Sequence, residues 1–316
     1  MDERIVMAYL GKIARIRAKS ALAHAVVNSV VSGVFKGPKR SGKGCGSVAR
    51  SPKRTNKEKL KIAIATEYYY PHIGGITSHV EGFARYCLKN GHEIKIITPD
   101  IGPASYTVPL EEHIIRLGHS FPIESNGSVA RFSIGAGIVG NACKILEREK
   151  FDVVHCHSPL FGGIYFALHR NVQDELMVGT LHTNFNCKSK MLRIFRATHQ
   201  RYFNDLDYVF SVSQSALDSI ERYVKCGPCE ILPNGIDVAR FQDAKNFSPP
   251  KCYHPNRFKI VTMVRLERRS GVLEAIKTLK ILRENYGVDA ELIIIGDGPE
   301  RAMLNKMIES FCLAPY

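Results

Sequence analysis

At 316 residues the chain can form about two domains of ~150 residues each, and its 45% hydrophobic content allows a sizeable core. No apolar run reaches the ~18 residues that a membrane-spanning helix needs. Residues 1–60 hold 14 Lys and Arg against three acidic residues, whereas residues 61–316 hold 30 against 27. The net charge of +14 therefore belongs mainly to the N-terminal part, and the near balance of charge in residues 61–316 argues against nucleic-acid binding by that part of the chain.

The cysteines point to a reducing environment. There are nine of them, an odd number, scattered through strand-like and helix-like stretches. Disulfide frameworks are typical of short secreted domains, so this usage favours reduced thiols and an intracellular setting.

Residues 1–58 are predicted to be a basic extension and linker ahead of the first domain. Residues 1–35 suit a helix rich in Ala, Val and Ile, with Arg15, Arg17 and Lys19 interspersed. Such a segment can lie on an anionic membrane surface or act as a targeting peptide; an unremarkable or mis-started extension is the alternative. The Gly, Ser, Lys and Arg that follow predict a solvated linker.

Residues 61–100 predict a strand–helix–strand unit, around which the rest of the chain is organised. An apolar run ends in a polar and aromatic loop that contains Gly74 and Gly75. Apolar residues then recur at the spacing of one buried helix face, Asn90-Gly91 ends the helix, and a second strand follows. Two glycines before a helix N-terminus let a ligand approach the backbone, where free N–H groups and the helix dipole favour a phosphate.

A candidate binding motif follows the next predicted strand, residues 114–117. The sequence NGSVAR places an Asn-Gly turn shortly before an arginine. The amide of Asn126, the hydroxyl of Ser128 and the guanidinium of Arg131 can together bind a phosphate and neighbouring hydroxyl groups. An ordinary turn followed by an arginine is the alternative.

Histidines occur on two further predicted strands. The first contains His155, Cys156 and His157. The two histidines share one face while the cysteine points away, and no second ligand pair with zinc spacing follows, so no metal site is predicted. The second strand ends at His182, on the side where open α/β sheets bind ligands; a core histidine is the alternative.

From residue 151 onward, strands and helices alternate in two stretches. The predicted elements are strands 151–157, 177–181, 207–212, 229–232, 258–264 and 290–295, and helices 213–224, 272–284 and 301–311. A loop at 246–256 with three prolines separates the two stretches. We therefore predict an α/β chain with a complete first Rossmann-like domain, residues 59–240, and a partial second one, residues 241–316.

From residue 61 to about 311 the chain resembles the retaining glycosyltransferases of family 4, which have the GT-B architecture of two facing Rossmann-like domains. The residues that carry the resemblance are Gly74-Gly75 with Ser78-His79, His157-Ser158-Pro159, His182-Thr183, Pro233-Asn234-Gly235-Ile236-Asp237 with Phe241, Arg265 with Gly271, and Gly296-Asp297-Gly298-Pro299. The segment NGSVAR is narrower and resembles the phosphatidylinositol mannosyltransferases, which use it near the inositol phosphate of the acceptor.

The resemblance implies a role for each candidate site residue. His182 and Arg265 would be catalytic, with His182 orienting the reacting sugar and Arg265 neutralising the departing diphosphate. The implied donor-binding residues are Gly74, Gly75, Arg265, Arg268, Arg269 and Gly298. The implied acceptor-binding residues are Asn126, Ser128, Arg131, Thr183 and Lys188. Neither a metal nor a tightly bound cofactor is implied, since the nucleotide sugar is a substrate.

Three features depart from the family pattern. Ser270 stands at a lysine position directly after two arginines, and arginine does not reproduce the geometry of lysine. Lys188 lies one residue further along than the family's acceptor lysine. The family's later pair of glutamates, which holds the donor sugar and ribose, is not found in this sequence, so the chain is expected to be a fragment or to need help to bind donor.

The resemblance predicts a hexosyltransferase that moves mannose from GDP-mannose to a phosphatidylinositol-like lipid with retention. It implies peripheral contact with the cytoplasmic face of a membrane and no nucleic-acid partner. Alternatives are a UDP-sugar-dependent enzyme acting on another lipid or glycan, and a non-catalytic module that binds a head group or a partner. A nucleotide-dependent oxidoreductase is disfavoured because the glycine loop is not G-x-G-x-x-G.

Overall fold

The computed structural model describes residues 59–125, 128–158, 162–172, 175–185, 190–242, 246, 248 and 254–314. The predicted N-terminal extension and linker, residues 1–58, therefore lie outside the described residues. The chain divides into two compact units. The first runs to Gln242 without Ile123–Ala130, and the second comprises Ile123–Ala130 and the chain from Asp243 onward.

The first unit is built on an eight-stranded sheet with the order β4-β3-β2-β1-β5-β6-β7-β8. The strands are β1 Lys61–Thr66, β2 Glu93–Asp100, β3 Ile114–Ser125, β4 Ser128–Ile134, β5 Val153–His157, β6 Leu176–Leu181, β7 Tyr208–Ser211 and β8 Cys229–Ile231. Neighbours from β3 across to β8 pair in parallel. The order reverses between β1 and β5, and open α/β sheets bind ligands beyond the carboxyl ends of their strands at such a switch point.

Helices follow most of these strands. They are α1 Gly75–Lys89, α2 Ile138–Glu149, α3 Gly163–His169, α4 Lys190–Ile194, α5 Arg196–Asn204, α6 Gln214–Glu221 and α7 Val238–Gln242. The predicted helix with the apolar spacing is α1, whose Val80, Phe83 and Cys87 are buried. None of the helices in the described part of the chain is both long and apolar enough to cross a membrane.

Strand β1 is buried on both faces, which explains its continuous apolar sequence. Ile62 and Ile64 enter one hydrophobic cluster together with Phe83 of α1. Ala63 and Ala65 enter a second cluster that contains residues of α2, α3 and α6. Because successive side chains of a strand point to opposite faces, one short segment anchors both layers and fixes where its carboxyl end lies.

The edge of the sheet differs from the sequence prediction. Strand β3 extends to Ser125, although the sequence predicted only residues 114–117, and α2 was not predicted. Pro122 and Gly118 argue against a strand in the sequence, but the pairing with β2 reaches only His119. Beyond that point β3 no longer pairs with β2 and keeps β4 as its neighbour, and proline is tolerated in such edge segments.

The second unit contains the predicted strand–helix–strand and one more helix. These are β9 Phe258–Met263, α8 Val272–Tyr286, β10 Ala290–Ile295 and α9 Arg301–Ser310. Strands β9 and β10 pair in parallel, and Leu266, Ile276, Leu279 and Leu304 form a core between the strands and helices. Its assignment as part of a donor-binding domain stays a prediction, as do the exact domain limits.

Candidate functional site

The loop after β1 passes directly into α1 through Gly74 and Gly75. The Thr77 hydroxyl donates to the His72 carbonyl over 2.7 Å and so ties the loop to the first helical turn. The N-cap residue Gly74 offers no capping side chain, and no acidic residue lies in the first turn of the helix. A Cβ at Gly75 would meet nothing within 4 Å, and one at Gly74 only the His72 ring at 3.5 Å. Packing in the described chain therefore does not require these glycines, whereas a ligand anion at the helix N-terminus would.

Strand β4 brings Arg131 to the same loop. Its backbone N–H donates to the Tyr68 hydroxyl over 3.2 Å, and its Nε donates to His72 Nδ1 over 3.3 Å. One terminal nitrogen of the guanidinium also donates to Ser120 Oγ over 3.2 Å. The predicted acceptor arginine and the predicted phosphate loop are thus linked through one histidine.

The other predicted acceptor residues are located less completely. Ser128 begins β4 and Thr183 lies half-buried just after β6. Asn126 and Lys188 lie outside the described residues. Their roles in binding stay predictions.

Three histidines from separate elements meet at the carboxyl end of the sheet. His79 lies in α1, His157 ends β5 and His182 directly follows β6. His157 Nδ1 and His182 Nε2 are 2.9 Å apart, a hydrogen-bond distance, and their rings stack at 24°. The His79 ring lies against both, with centroid distances of 5.0 Å to His182 and 5.4 Å to His157.

All three rings of this histidine cluster are neutral at pH 7. Burial lowers the pKa of His79 to about 4 and the pKa of His182 to about 3. Burial also holds the pKa of His157 well below its usual range, and the neighbouring histidines add to this effect. Within the described residues, His79 Nδ1, His157 Nε2 and His182 Nδ1 are buried without a hydrogen-bond partner.

The histidine cluster has some features of a metal site and lacks others. One nitrogen from each ring lies within 4.8 Å of the others, and neutral imidazoles are metal ligands. However, no carboxylate or thiol belongs to the group found among the described residues, and two of its rings already share a hydrogen bond. Cys156 packs in the hydrophobic cluster of Ala63 and Ala65, whereas the His155 ring contacts Phe83 of the other cluster, so the two side chains point to opposite faces, as the strand pattern predicted. The absence of a metal stays a prediction.

A buried glutamate lies beside this region, immediately after β1. Glu67 is 1% exposed, and its Oε1 accepts a hydrogen bond of 2.6 Å from the Ser133 hydroxyl of β4. Its other oxygen has no partner among the described residues. Gly162 makes room for it, because a Cβ there would lie 1.8 Å from Oε1. Burial raises the pKa of Glu67 from 4.5 to about 8, so the group is largely protonated at pH 7.

Glu67 should make stability depend on pH. Between about pH 4.5 and pH 8 the folded chain keeps a proton that the unfolded chain has lost. The contribution of Glu67 to the free energy of unfolding is complete below about pH 4.5, and it falls by about 1.4 kcal/mol per pH unit between that pH and about pH 8. Glu67→Gln removes this titration. In denaturant unfolding, the free energy of unfolding of the variant should therefore rise relative to that of the wild type as pH increases from about 5 to 7. For the control variant Glu147→Gln, at an exposed position, the free energy of unfolding should change with pH as it does in the wild type. The same pH dependence in Glu67→Gln would contradict the raised pKa of Glu67.

The arginine loop of the second unit surrounds a buried carboxylate. Glu267, 6% exposed, lies 3.2 Å from a terminal nitrogen of Arg265 and 3.8 Å from Nε of Arg269. The Ser270 hydroxyl donates to the Arg265 carbonyl over 2.6 Å. The serine at the family's lysine position therefore closes the loop, and the glutamate fixes the orientation of the arginine that the sequence singled out.

Gly298 has a packing role of its own. A Cβ there would lie 2.5 Å from the Leu266 carbonyl oxygen, and one at Gly296 would lie 1.9 Å from the Val264 carbonyl oxygen. Both glycines have positive φ angles, 156° at Gly296 and 159° at Gly298. Their conformations let the loop after β10 pack closely on the segment after β9, so ligand binding is not needed to explain them.

Sequence reasoning missed several residues near these loops. It did not single out Glu67 or Glu267, whose isolated sequence positions give no sign of burial. It also did not place His79 beside His182. The helical spacing of His79, Phe83 and Tyr86 on one face of α1 could have shown that His79 points inward.

Solved structures show the fold class. The structure resembles a glycosyltransferase from Rickettsia africae with a TM-score of 0.53 and 16% identity, covering 81% of this chain and 66% of that one. It also resembles a TarM variant of S. aureus solved with fondaparinux, alpha-GlcNAc-glycerol and UDP, with a TM-score of 0.51 and 12% identity, covering 81% and 76%. The fold and the loops at its sheet edge define a GT-B-type glycosyltransferase architecture, as the sequence predicted.

The family follows from the sequence comparisons. The family model described as Glycosyltransferase Family 4 matches residues 73–240, more than half of the chain, and the chain belongs to this family. A phosphatidyl-myo-inositol mannosyltransferase of Propionibacterium freudenreichii is 27% identical over 252 residues, 77% of this chain and 64% of the relative. The one from Mycolicibacterium smegmatis is 29% identical over 243 residues, 76% and 60%. The chain thus spans less than two thirds of these relatives.

Proposed function

We propose that this chain is a hexosyltransferase that moves mannose from GDP-mannose to a phosphatidylinositol-like lipid with retention. The observation that carries the proposal is the contact between Arg131 and the loop that contains Gly74 and Gly75. This contact puts a guanidinium, which suits a lipid phosphate, beside an uncapped helix N-terminus, which suits a second anion. The names of the two mannosyltransferase relatives support this choice of sugar and acceptor.

The proposed acceptor-binding residues lie in the predicted first domain, residues 59–240. Arg131 binds the phosphate of the lipid head group through its planar fork. The inositol hydroxyls bind to Asn126, Ser128, Thr183 and Lys188. Because the phosphate belongs to a membrane lipid, binding brings the protein to the cytoplasmic face of a membrane as a peripheral protein.

Donor-binding roles are proposed for residues of each unit separately. The first N–H groups of α1, at Gly75, bind an oxygen of the donor, and Gly74 leaves room for it. In the second unit, Arg265 faces the diphosphate, and Arg268 and Arg269 add positive charge. Glu267 orients Arg265, as its 3.2 Å ion pair supports.

The chemistry is a transfer at one carbon atom. A hydroxyl oxygen of the acceptor forms a bond to the anomeric carbon from the side of the leaving group, and the bond from that carbon to the diphosphate breaks with its electron pair going to the phosphate oxygen. The departing phosphate takes the hydroxyl proton, and the configuration is retained. Arg265 stabilises the negative charge of the leaving group and His182 orients the sugar, so positioning and electrostatics provide the catalysis.

Transfer of labelled sugar tests the proposal. The chain is incubated with phosphatidylinositol vesicles and one 14C-labelled donor at a time, GDP-mannose, UDP-glucose or UDP-N-acetylglucosamine, and lipid-extractable label is measured. Labelled lipid from GDP-mannose alone is the expected result. Transfer from a UDP-sugar would replace the donor assignment. Binding to the vesicles without transfer or hydrolysis of any donor would favour a non-catalytic head-group module.

Gly75→Ala tests the proposed role of the helix N-terminus. The structure has room for the methyl group, so the thermal midpoint should stay unchanged or rise slightly, as for other helical glycines. If a ligand oxygen occupies that space, kcat/KM for the donor should fall about 10- to 100-fold. Gly140→Ala, in α2 and equally uncrowded, is the matched control and should keep full activity. Equal activity of the two variants would exclude close approach of donor at Gly75.

A further inference from the structure

His157 does not reach the surface, yet it is the direct partner of the residue proposed to orient the sugar. It is fully buried, and its Nδ1 lies 2.9 Å from His182 Nε2. The His79 ring packs on both, and the His155 ring lies against His157 at a tilt of 44° with centroids 4.0 Å apart. These contacts leave His182 little freedom to rotate.

The hydrogen bond between the two rings also fixes where their protons are. Each ring is neutral and carries one N–H, so one of the two facing nitrogens must donate and the other must accept. If His182 Nε2 donates, the proton of His157 sits on Nε2, which has no acceptor among the described residues. If His157 Nδ1 donates, the fully buried His157 keeps only an unmatched lone pair, and the unmatched N–H lies instead at Nδ1 of His182, whose ring is half-buried at the carboxyl end of the sheet. A buried N–H without an acceptor is costly, so we expect it on the half-buried ring, where a ligand can supply the acceptor, and not on the fully buried one.

We propose that His157 is a positioning residue that donates its Nδ1–H to His182 and thereby makes His182 present an N–H at Nδ1 to the ligand. His182 Nδ1 has no partner among the described residues, so it is the position at which a ligand oxygen completes the network. That atom is buried although the residue as a whole is half-buried, so a sugar reaches it after a local shift. A hydrogen-bond acceptor is specified: a ring oxygen, a phosphate oxygen or a hydroxyl lone pair.

The role in catalysis rests on the proposed function, whereas the proton positions do not. They are measured on the full chain labelled with 15N-histidine, using long-range 1H–15N correlations at neutral pH without substrate. The signals of the two rings are assigned with His157→Phe and His182→Gln. Both rings should show the Nδ1–H tautomer. Protonation of His157 at Nε2 would overturn the proposal.

Two substitutions separate positioning from packing. His157→Phe keeps a ring but removes the donor, so the fixed tautomer of His182 should be lost and kcat for sugar transfer should fall about tenfold with little change in donor KM. His157→Asn places an amide N–H near the Nδ1 position and should restore much of the fixed His182 tautomer and of kcat. His169→Gln, at a histidine outside the cluster, should change neither. A matching loss in the Phe and Asn variants would show a packing role only.

Zinc titration distinguishes the remaining alternative. Equimolar ZnCl2 should leave the histidine signals unchanged if the rings are joined by a hydrogen bond as proposed. Simultaneous shifts of His79, His157 and His182 would identify a metal site instead and would overturn the positioning role. If no sugar transfer is found but both rings are Nδ1–H, the proposed function fails while the proton arrangement stands.

Discussion

Replacing Arg265 by alanine should lower kcat for sugar transfer by ~100-fold or more, the usual cost of losing one donor that stabilises developing negative charge. The guanidinium is held 3.2 Å from the buried carboxylate of Glu267, so its orientation is set before substrate binds. Donor KM should change much less than kcat, because the charge on the leaving oxygen grows mainly in the transition state. Initial rates with GDP-mannose and phosphatidylinositol vesicles measure both quantities.

The design separates a catalytic loss from misfolding. Removing Arg265 leaves Glu267 with Arg269 at 3.8 Å, so the thermal midpoint must be compared as well. Arg265→Lys keeps the charge but not the bidentate geometry, so its kcat should lie between those of the wild type and the alanine variant. Lys277→Ala, at an exposed position of α8 in the same unit, is the control and should be fully active. Near-normal turnover of Arg265→Ala would remove this residue from the mechanism.

Replacing Arg131 by alanine should raise the KM for the lipid acceptor about 10- to 100-fold, the range for losing a charge-assisted hydrogen bond. Its guanidinium hydrogen-bonds to His72 Nδ1 and to Ser120 Oγ, so the side chain is already aligned with the phosphate loop. Hydrolysis of the donor in the absence of lipid should change little. Vesicle co-sedimentation with phosphatidylinositol measures the loss directly.

The matched control is another arginine of the same unit. Arg85 is exposed on α1 and pairs with Glu81 over 2.8 Å, so Arg85→Ala removes the same charge without touching the loop. It should bind phosphatidylinositol vesicles like the wild type. If both variants lose binding equally, the effect is one of net charge at a membrane surface and the specific acceptor role of Arg131 is wrong.

Much of the fold could be predicted because its signals are local. The apolar run before Gly74, the helical spacing from Val80 to Cys87 and the Asn-Gly end of α1 each depend on neighbours in sequence. The same holds for the second unit, where strand, helix and strand appear at the predicted positions. The edge of the first sheet was less predictable, because β3 continues through Pro122. This proline is tolerated since β3 no longer pairs with β2 at that point, a fact that the sequence does not show.

The sequence alone determined the α/β class, the family resemblance and the short motifs, since these depend on composition, periodicity and spacing along the chain. Tertiary structure alone decided which of those residues meet. It joined His79, His157 and His182 from three elements, and it buried Glu67, which raises the pKa of its carboxyl group to about 8. Burial arises from the packing of segments distant in sequence and raises the free-energy cost of carrying a charge, which no local pattern records.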